Sequence, residues 1–201
     1  MWSLVFIPIF LIFLDYYKAP IDRLYFNNPR RPLIGIHNTF RDIIHYFDKN
    51  KIENYPGLLL LKLHYQKIRE EFDEISPKLL KEFQHDKDKW FEKNEGYYHY
   101  EVCNFPLLNS LIKQIPCINS ETAMFFVIDG PMNLAPHRAE SNEFLRYQLT
   151  IHGDGDCTLY TEKDEFIQVE GEDFLFDHGR YHELVKTGKG RRVLLSLDIH
   201  R

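Results

Sequence analysis

The sequence predicts an α+β fold with helices in the first half and a β-sandwich or barrel in the second. Three observations carry this. Apolar residues recur at helical spacing before about residue 89. Six or more short apolar runs, separated by turn signals, follow residue 97. The composition, 44% hydrophobic and 15% aromatic over 201 residues, is enough for one good core and too apolar for a disordered chain. A formal charge of -5 and a pI near 6.1 offer nucleic acid no basic field, and the densest basic cluster is the pair Arg30-Arg31, so no nucleic-acid partner is expected.

From the N-terminus, Met1 to Leu14 is an almost unbroken apolar run, ended by Asp15-Tyr16-Tyr17-Lys18. It is shorter than the roughly 20 residues a spanning helix needs. No basic residues precede it and no small-residue cleavage site follows, so residues 1–18 are expected to be an uncleaved membrane anchor; a buried core helix or strand is the bland alternative. Residues 19–35, with three prolines and Asn27-Asn28-Pro29-Arg30-Arg31-Pro32, read as a linker.

The catalytic domain is expected over 36–201, with 36–89 as helical support and 90–201 as the β domain. Phe40, Ile43, Ile44 and Phe47 mark one face of a helix over Thr39 to Asp48. A second helix is expected from Leu58 to Glu74, and Ser76-Pro77 is expected to start another, serine as cap and proline in the first turn. Tyr97 to Val102 is aromatic-rich, Asn109 to Ile115 helical, and Thr122 to Ile128 strand-like. Further strands are predicted at Phe144–Ile151, Cys157–Thr161, Phe166–Val169, Asp173–Phe176, His182–Lys186 and Arg192–Ile199. Gly130 to Pro136 reads as too broken for a strand, and His152-Gly-Asp-Gly-Asp156 as a hairpin turn rather than a calcium loop. With helices preceding strands, the helices should brace one face of the sheet.

Cys103, Cys117 and Cys157 are far apart and form no CxxC pair, which fits a reducing compartment. Spacing alone leaves a Cys103–Cys117 bridge open.

Ten histidines are too many to be functional as a set, and His37, His45, His64, His85 and His99 take the ordinary structural interpretation. His137 and His182 stand apart because each is followed by an arginine near the matching end of a sheet segment, Arg146 and Arg192. Neutral imidazoles suit Fe(II) with open positions for a co-substrate and O₂, and fixed guanidinium forks suit a dicarboxylate. Without the histidines, both arginines would be read as ordinary surface residues on strands.

The stretches His137-Arg-Ala-Glu-Ser-Asn-Glu-Phe-Leu-Arg146-Tyr-Gln148, Gly171 to Glu183 and Arg192-Val-Leu-Leu-Ser-Leu-Asp198 resemble the aspartyl/asparaginyl β-hydroxylase family of Fe(II)/2-oxoglutarate dioxygenases. Upstream, Trp90, Cys103-Asn-Phe-Pro106 and Leu111 to Pro116 are similar to the segment leading into that family's barrel. The resemblance implies a double-stranded β-helix, a cupin-like jelly roll, with His137 and His182 on the iron. It also implies Arg192 on the far carboxylate of 2-oxoglutarate, and Arg146 and Gln148 in the co-substrate pocket.

Several positions depart from the family pattern. Ala139 stands where the wider superfamily has a ligating carboxylate and this family a glycine, leaving a two-histidine site with Glu140 as the competing ligand. Gln148 replaces a usual histidine and retains one donor for a carboxylate. Phe126 replaces a small hydroxyl residue, and Asp177 is placed to orient a liganding imidazole.

The resemblance implies hydroxylation of either a protein Asp/Asn side chain or a lipid acyl chain. Tyr16-Tyr17-Lys18, Pro32 to Asn38 and Lys67 to Phe72 are similar to bacterial lipid A acyl hydroxylases, which favours a membrane-associated enzyme. The alternatives are a non-catalytic cupin-like metal- or ligand-binding module and a barrel isomerase that uses no O₂.

Overall fold

A computed structural model describes residues 3–18, 26, 29–45, 51–85, 92–94, 96–139, 141–161 and 164–201. Among the described residues, five α-helices (α1 Ser3–Lys18, α2 Arg30–Ile44, α3 Leu59–Leu63, α4 Tyr65–His85, α5 Pro106–Ile112) accompany ten strands. The strands are β1 Glu92–Asn94, β2 Tyr97–Glu101, β3 Ile118–Asp129, β4 Met132–His137, β5 Phe144–His152, β6 Asp154–Thr161, β7 Glu165–Val169, β8 Asp173–Phe176, β9 His182–Lys186 and β10 Arg191–His200. They form two antiparallel sheets, ordered β1-β2-β3-β10-β5-β8 and β4-β9-β6-β7. Two such sheets face to face, with helices on one outer face, are an α+β double-stranded β-helix.

Period-two alternation separates the duties of the large sheet. Leu145, Tyr147, Leu149 and Ile151 of β5 and Val193, Leu195, Leu197 and Ile199 of β10 pack with Leu58, Leu61, Ile68, Phe72 and Leu108 from the helical side. The intervening residues, Arg146, Gln148 and Thr150 on β5 and Arg192, Leu194, Ser196 and Asp198 on β10, face the other way, between the sheets. A second core there contains Ile128, Cys157, Leu159, Phe174, Phe176 and Leu184.

Helix α4 fixes the brace. Ile68, Phe72 and Ser76 recur every four residues on its buried stripe, and the Phe72 ring lies 4.8 Å from Phe125 and 5.8 Å from Phe105. Glu71 accepts from the free amides of Leu107 (2.6 Å) and Leu108 (3.0 Å) at the start of α5, supplying the anion that a helix N-terminus favours.

Five expectations need correction. Helix α2 begins at Arg30, inside the stretch expected to be linker, because Pro29 and Pro32 fall at its N-cap and first turn, where no intrahelical N–H bond is lost. The helix expected from Leu58 breaks at His64 (φ -98°, ψ 9°). Its second part, α4, runs through Pro77 instead of restarting at Ser76, because its apolar stripe continues past the proline. Residues 132–137 do form a strand: β4 is an edge strand, where proline is tolerated. Finally, Gly153 is not in a hairpin, since β5 and β6 lie in different sheets. There a Cβ would come within 2.8 Å of the Gln168 carbonyl oxygen. All three cysteines are free.

Candidate metal centre and co-substrate pocket

His137 ends β4 and His182 opens β9, and the two are direct cross-strand partners. The register shifts between Leu134 and His137: three residues of β4 match two of β9, so one residue is bulged out. Without that bulge the alternation would turn Pro136 inward and His137 outward. The two rings lie 4.4 Å apart, centre to centre, with planes tilted by 55°.

Each Nδ1 meets a carbonyl two residues back, His137 with Ala135 (2.8 Å) and His182 with Arg180 (2.9 Å). A carbonyl only accepts, so each Nδ1 carries the proton and each Nε2 keeps its lone pair, the form that binds metal. Burial pushes the His182 imidazole down to about 4, against the Arg180 carbonyl and helped by His137 and Arg146, so the ring stays neutral at physiological pH. This donor set fits a divalent metal of the imidazole-binding class, Fe(II) included. Among the described residues no group of three or more His, Cys, Asp or Glu gathers around an ion site. Ala139 uses its backbone N–H on the His178 carbonyl (2.9 Å). Glu140, and Trp90 further upstream, lie outside the described residues.

The histidines share a cavity with Tyr97, Phe126, Leu134, Arg146, Gln148, Leu159, Phe176, Leu184, Arg192 and Leu194. All five residues expected at the site are therefore brought together. Arg192 is only 3% exposed, and its Nε donates to Gln168 Oε1 at 2.6 Å. Among the described residues no carboxylate pairs with it, and burial pulls its pKa down. Arg146 lines the cavity but is not free for it: Nε and Nη2 donate to Asp198 Oδ1 at 3.0 and 2.9 Å, as cross-strand partners on β5 and β10. Gln148 is buried and its Oε1 has no partner. Phe126 forms part of the apolar wall.

Asp177 does not orient an imidazole, because the Arg180 carbonyl already satisfies His182. Its carboxylate instead accepts from the Gly179 amide (3.0 Å) and pairs with Arg201 (2.5 Å). Three participants escaped the sequence analysis. Gln168 holds Arg192, and Asp198 holds Arg146. His178 is buried with no hydrogen bond to either ring nitrogen, its Nδ1 3.9 Å from Asp198 Oδ1, and burial, then Arg146, His182 and Arg201, push its pKa down to about 3.

The fold and site are those of a jelly-roll barrel with two imidazoles, each presenting an Nε2 lone pair, beside a buried guanidinium that has no carboxylate partner among the described residues. The model of the aspartyl/asparaginyl β-hydroxylase family matches residues 62–201, and the chain belongs to that family of hydroxylases. No curated protein matches it. Among solved structures, KdgF from Halomonas sp. is 14% identical, with a TM-score of 0.38 over 58% of this chain and 92% of that one. The Schizosaccharomyces pombe Cnp3 cupin domain is 13% identical, TM-score 0.34, over 39% of this chain. A cupin superfamily protein from Desulfitobacterium hafniense is 13% identical, TM-score 0.31, also over 39%. The chain spans 52% of the Cnp3 structure and 66% of the Desulfitobacterium one.

Proposed function

We propose that this chain is an Fe(II)- and 2-oxoglutarate-dependent hydroxylase acting at a membrane surface on the acyl chain of a lipid. The observation that carries the reaction class is Arg192. Burying a charge without a counter-ion costs several kcal/mol, so such a guanidinium is best explained by an anion that arrives from outside. A dicarboxylate meets it with paired hydrogen bonds.

Bound at the histidine pair, Fe(II) with 2-oxoglutarate and O₂ would supply the oxygen atom inserted into a substrate C–H bond. The chain's own residues do the rest. His137 and His182 hold the metal through Nε2. Arg192 takes a carboxylate, with Gln148 on the same wall. Arg146, neutralised and held in place by Asp198, gives the pocket a fixed wall. Phe126, Leu159, Phe176, Leu184 and Leu194 keep water out, which strengthens every charge interaction inside.

The lipid substrate is supported by an apolar surface. Helix α1 exposes Phe6, Ile7, Ile9, Phe10 and Phe13, and its neighbour α2 exposes Leu33, Phe40, Ile43 and Ile44. No helix among the described residues is long and apolar enough to cross a membrane; the exposed apolar face supports a seat for the pair in the bilayer interface, lying on it.

Purified protein should convert 2-oxoglutarate to succinate only with added Fe(II), and His182→Ala should not. No succinate from the wild type would reduce the chain to a binding module. Mass spectrometry of lipids and proteins from cells expressing either form should find one added oxygen on a lipid. The same gain on a protein Asp or Asn would move the substrate to the family's other class.

A further inference from the structure

The apolar N-terminal hairpin is tied to the first histidine by buried charge. Asp15 is the only acid in α1, and it is 0% exposed. It pairs with Arg31 of α2 at 3.6 Å and with Arg138, the residue after His137. The Arg138 side chain is itself 6% exposed, and its guanidinium lies 6.0 Å from the ring centre of Tyr181, the residue before His182. Asp15 thus grips a bracket that spans the two histidines.

A second tie runs from α2. Asn142 Nδ2 donates to the Asn38 carbonyl (3.0 Å) and to Asp42 Oδ1 (2.8 Å). By contrast His137 sits exposed at the bulged end of an edge strand, with the Ala135 carbonyl as its ring's hydrogen-bond partner. The chain leaving it is held by the Ala139 N–H on the His178 carbonyl and, through the Arg138 and Asn142 side chains, by the hairpin.

We infer that Asp15 is a positioning residue for the metal centre: through Arg138 it fixes the chain that leaves His137, so the apolar hairpin is part of the site and not only a tether to a membrane. The inference rests on the two-histidine metal assignment. Groups that orient metal ligands from outside the first contact are worth about 10- to 100-fold in metal affinity. Asp15 acts one residue removed, so the low end applies.

The test uses the full chain in detergent with Co(II), whose visible absorption reports ligand geometry. Asp15→Asn should bind Co(II) about tenfold more weakly, with an altered spectrum, at temperatures where circular dichroism shows it folded. Because Asp15→Asn leaves two buried guanidiniums without their acid, the triple variant Asp15→Leu, Arg31→Met, Arg138→Met replaces the whole cluster by apolar side chains of similar size, a change that buried ion pairs often tolerate. It should fold and show the same weakened, altered Co(II) site. A folded variant of either kind with wild-type affinity and spectrum overturns the positioning role. If the wild type takes up no Co(II), the metal assignment fails and the positioning role goes with it; His182→Ala losing Co(II) while wild type keeps it separates the two cases.

Discussion

Gln168→Glu places a carboxylate where the structure has an amide, 2.6 Å from Arg192 Nε, at nearly constant volume. It should move stability and co-substrate affinity in opposite directions. The wild-type bond already has one charged partner, and Gln168→Glu adds the counter-ion that Arg192 lacks; an unpaired buried charge costs several kcal/mol, most of which the new carboxylate's own desolvation takes back, so the fold should gain on the order of 1 kcal/mol. That corresponds to a rise of about 2–4 °C in melting temperature for a chain of this size. The resident acid then neutralises the guanidinium proposed to take 2-oxoglutarate and repels the incoming carboxylate. Losing a buried charge pair costs about 2–5 kcal/mol; at about 3 kcal/mol the Kd rises roughly 100-fold. Urea denaturation gives the first quantity, and titration of 2-oxoglutarate into the Mn(II)-loaded protein gives the second. Gln168→Met is the control, losing stability and orientation together. An unchanged Kd in Gln168→Glu would refute the assignment of Arg192 as the anion site.

Other perturbations test the frame around that site. His178, held neutral down to about 3 in the fold, takes its proton near 6.5 when unfolded. The unfolded chain therefore holds the extra proton below pH 6.5, and stability falls as pH drops, by about 1.4 kcal/mol per pH unit for this group. Denaturation of metal-free protein at pH 5 and 6.5 should show the difference shrink by about 2 kcal/mol in His178→Phe. Gly179→Ala brings a Cβ to 2.4 Å from Asn142 Cβ and 2.8 Å from its Cα, so the segment after His137 must move. A loss of about 1–3 kcal/mol together with weaker metal binding is expected, and an undisturbed metal site would count against the coupling of these two loops. Phe72→Ala empties the contact of α4 with Phe105 and Phe125 and should cost about 3–5 kcal/mol in urea denaturation. Metal affinity at low temperature should stay at wild type, because this core lies on the opposite face of the large sheet from the histidines.

Most strands were legible because their apolar runs and turns are local signals: Asp173–Phe176 and His182–Lys186 have the bounds the sequence suggests. The histidine and arginine positions were legible from paired spacing and the family resemblance. Strand β4 was hidden because Pro131 and Pro136 argue against a strand everywhere except an edge, and edge status belongs to the sheet, not the segment. Gln168 carried a readable signal in inverted form. Its neighbours Ile167 and Val169 are 59% and 43% exposed while it is fully buried, and a strand with apolar residues outside and an amide inside is arranged around a polar ligand or partner. Asp15 misled in the same way. As the acid ending an apolar run it looks like the edge of an anchor, and only folding reveals that Arg138, far along the chain, claims it.

The site's plan follows from one geometric fact, that side chains on a strand alternate. On β5 and β10 the helix-facing set is wholly apolar, Leu145, Tyr147, Leu149 and Ile151 with Val193, Leu195, Leu197 and Ile199, so those two strands are held rigidly from outside. The inward set is then free to be polar without unfolding the domain, and Asp198, the Arg146 partner, lies six residues along the same face from Arg192. Distance along the face decides which arginine serves which purpose. Arg146 meets an acid directly across the ladder and is neutralised, whereas Arg192 sits toward the Thr150 end, where its neighbour on β7 is an amide. A carboxylate at position 168 would erase that difference, which is why the proposed anion site rests on the amide there and not on the arginine alone.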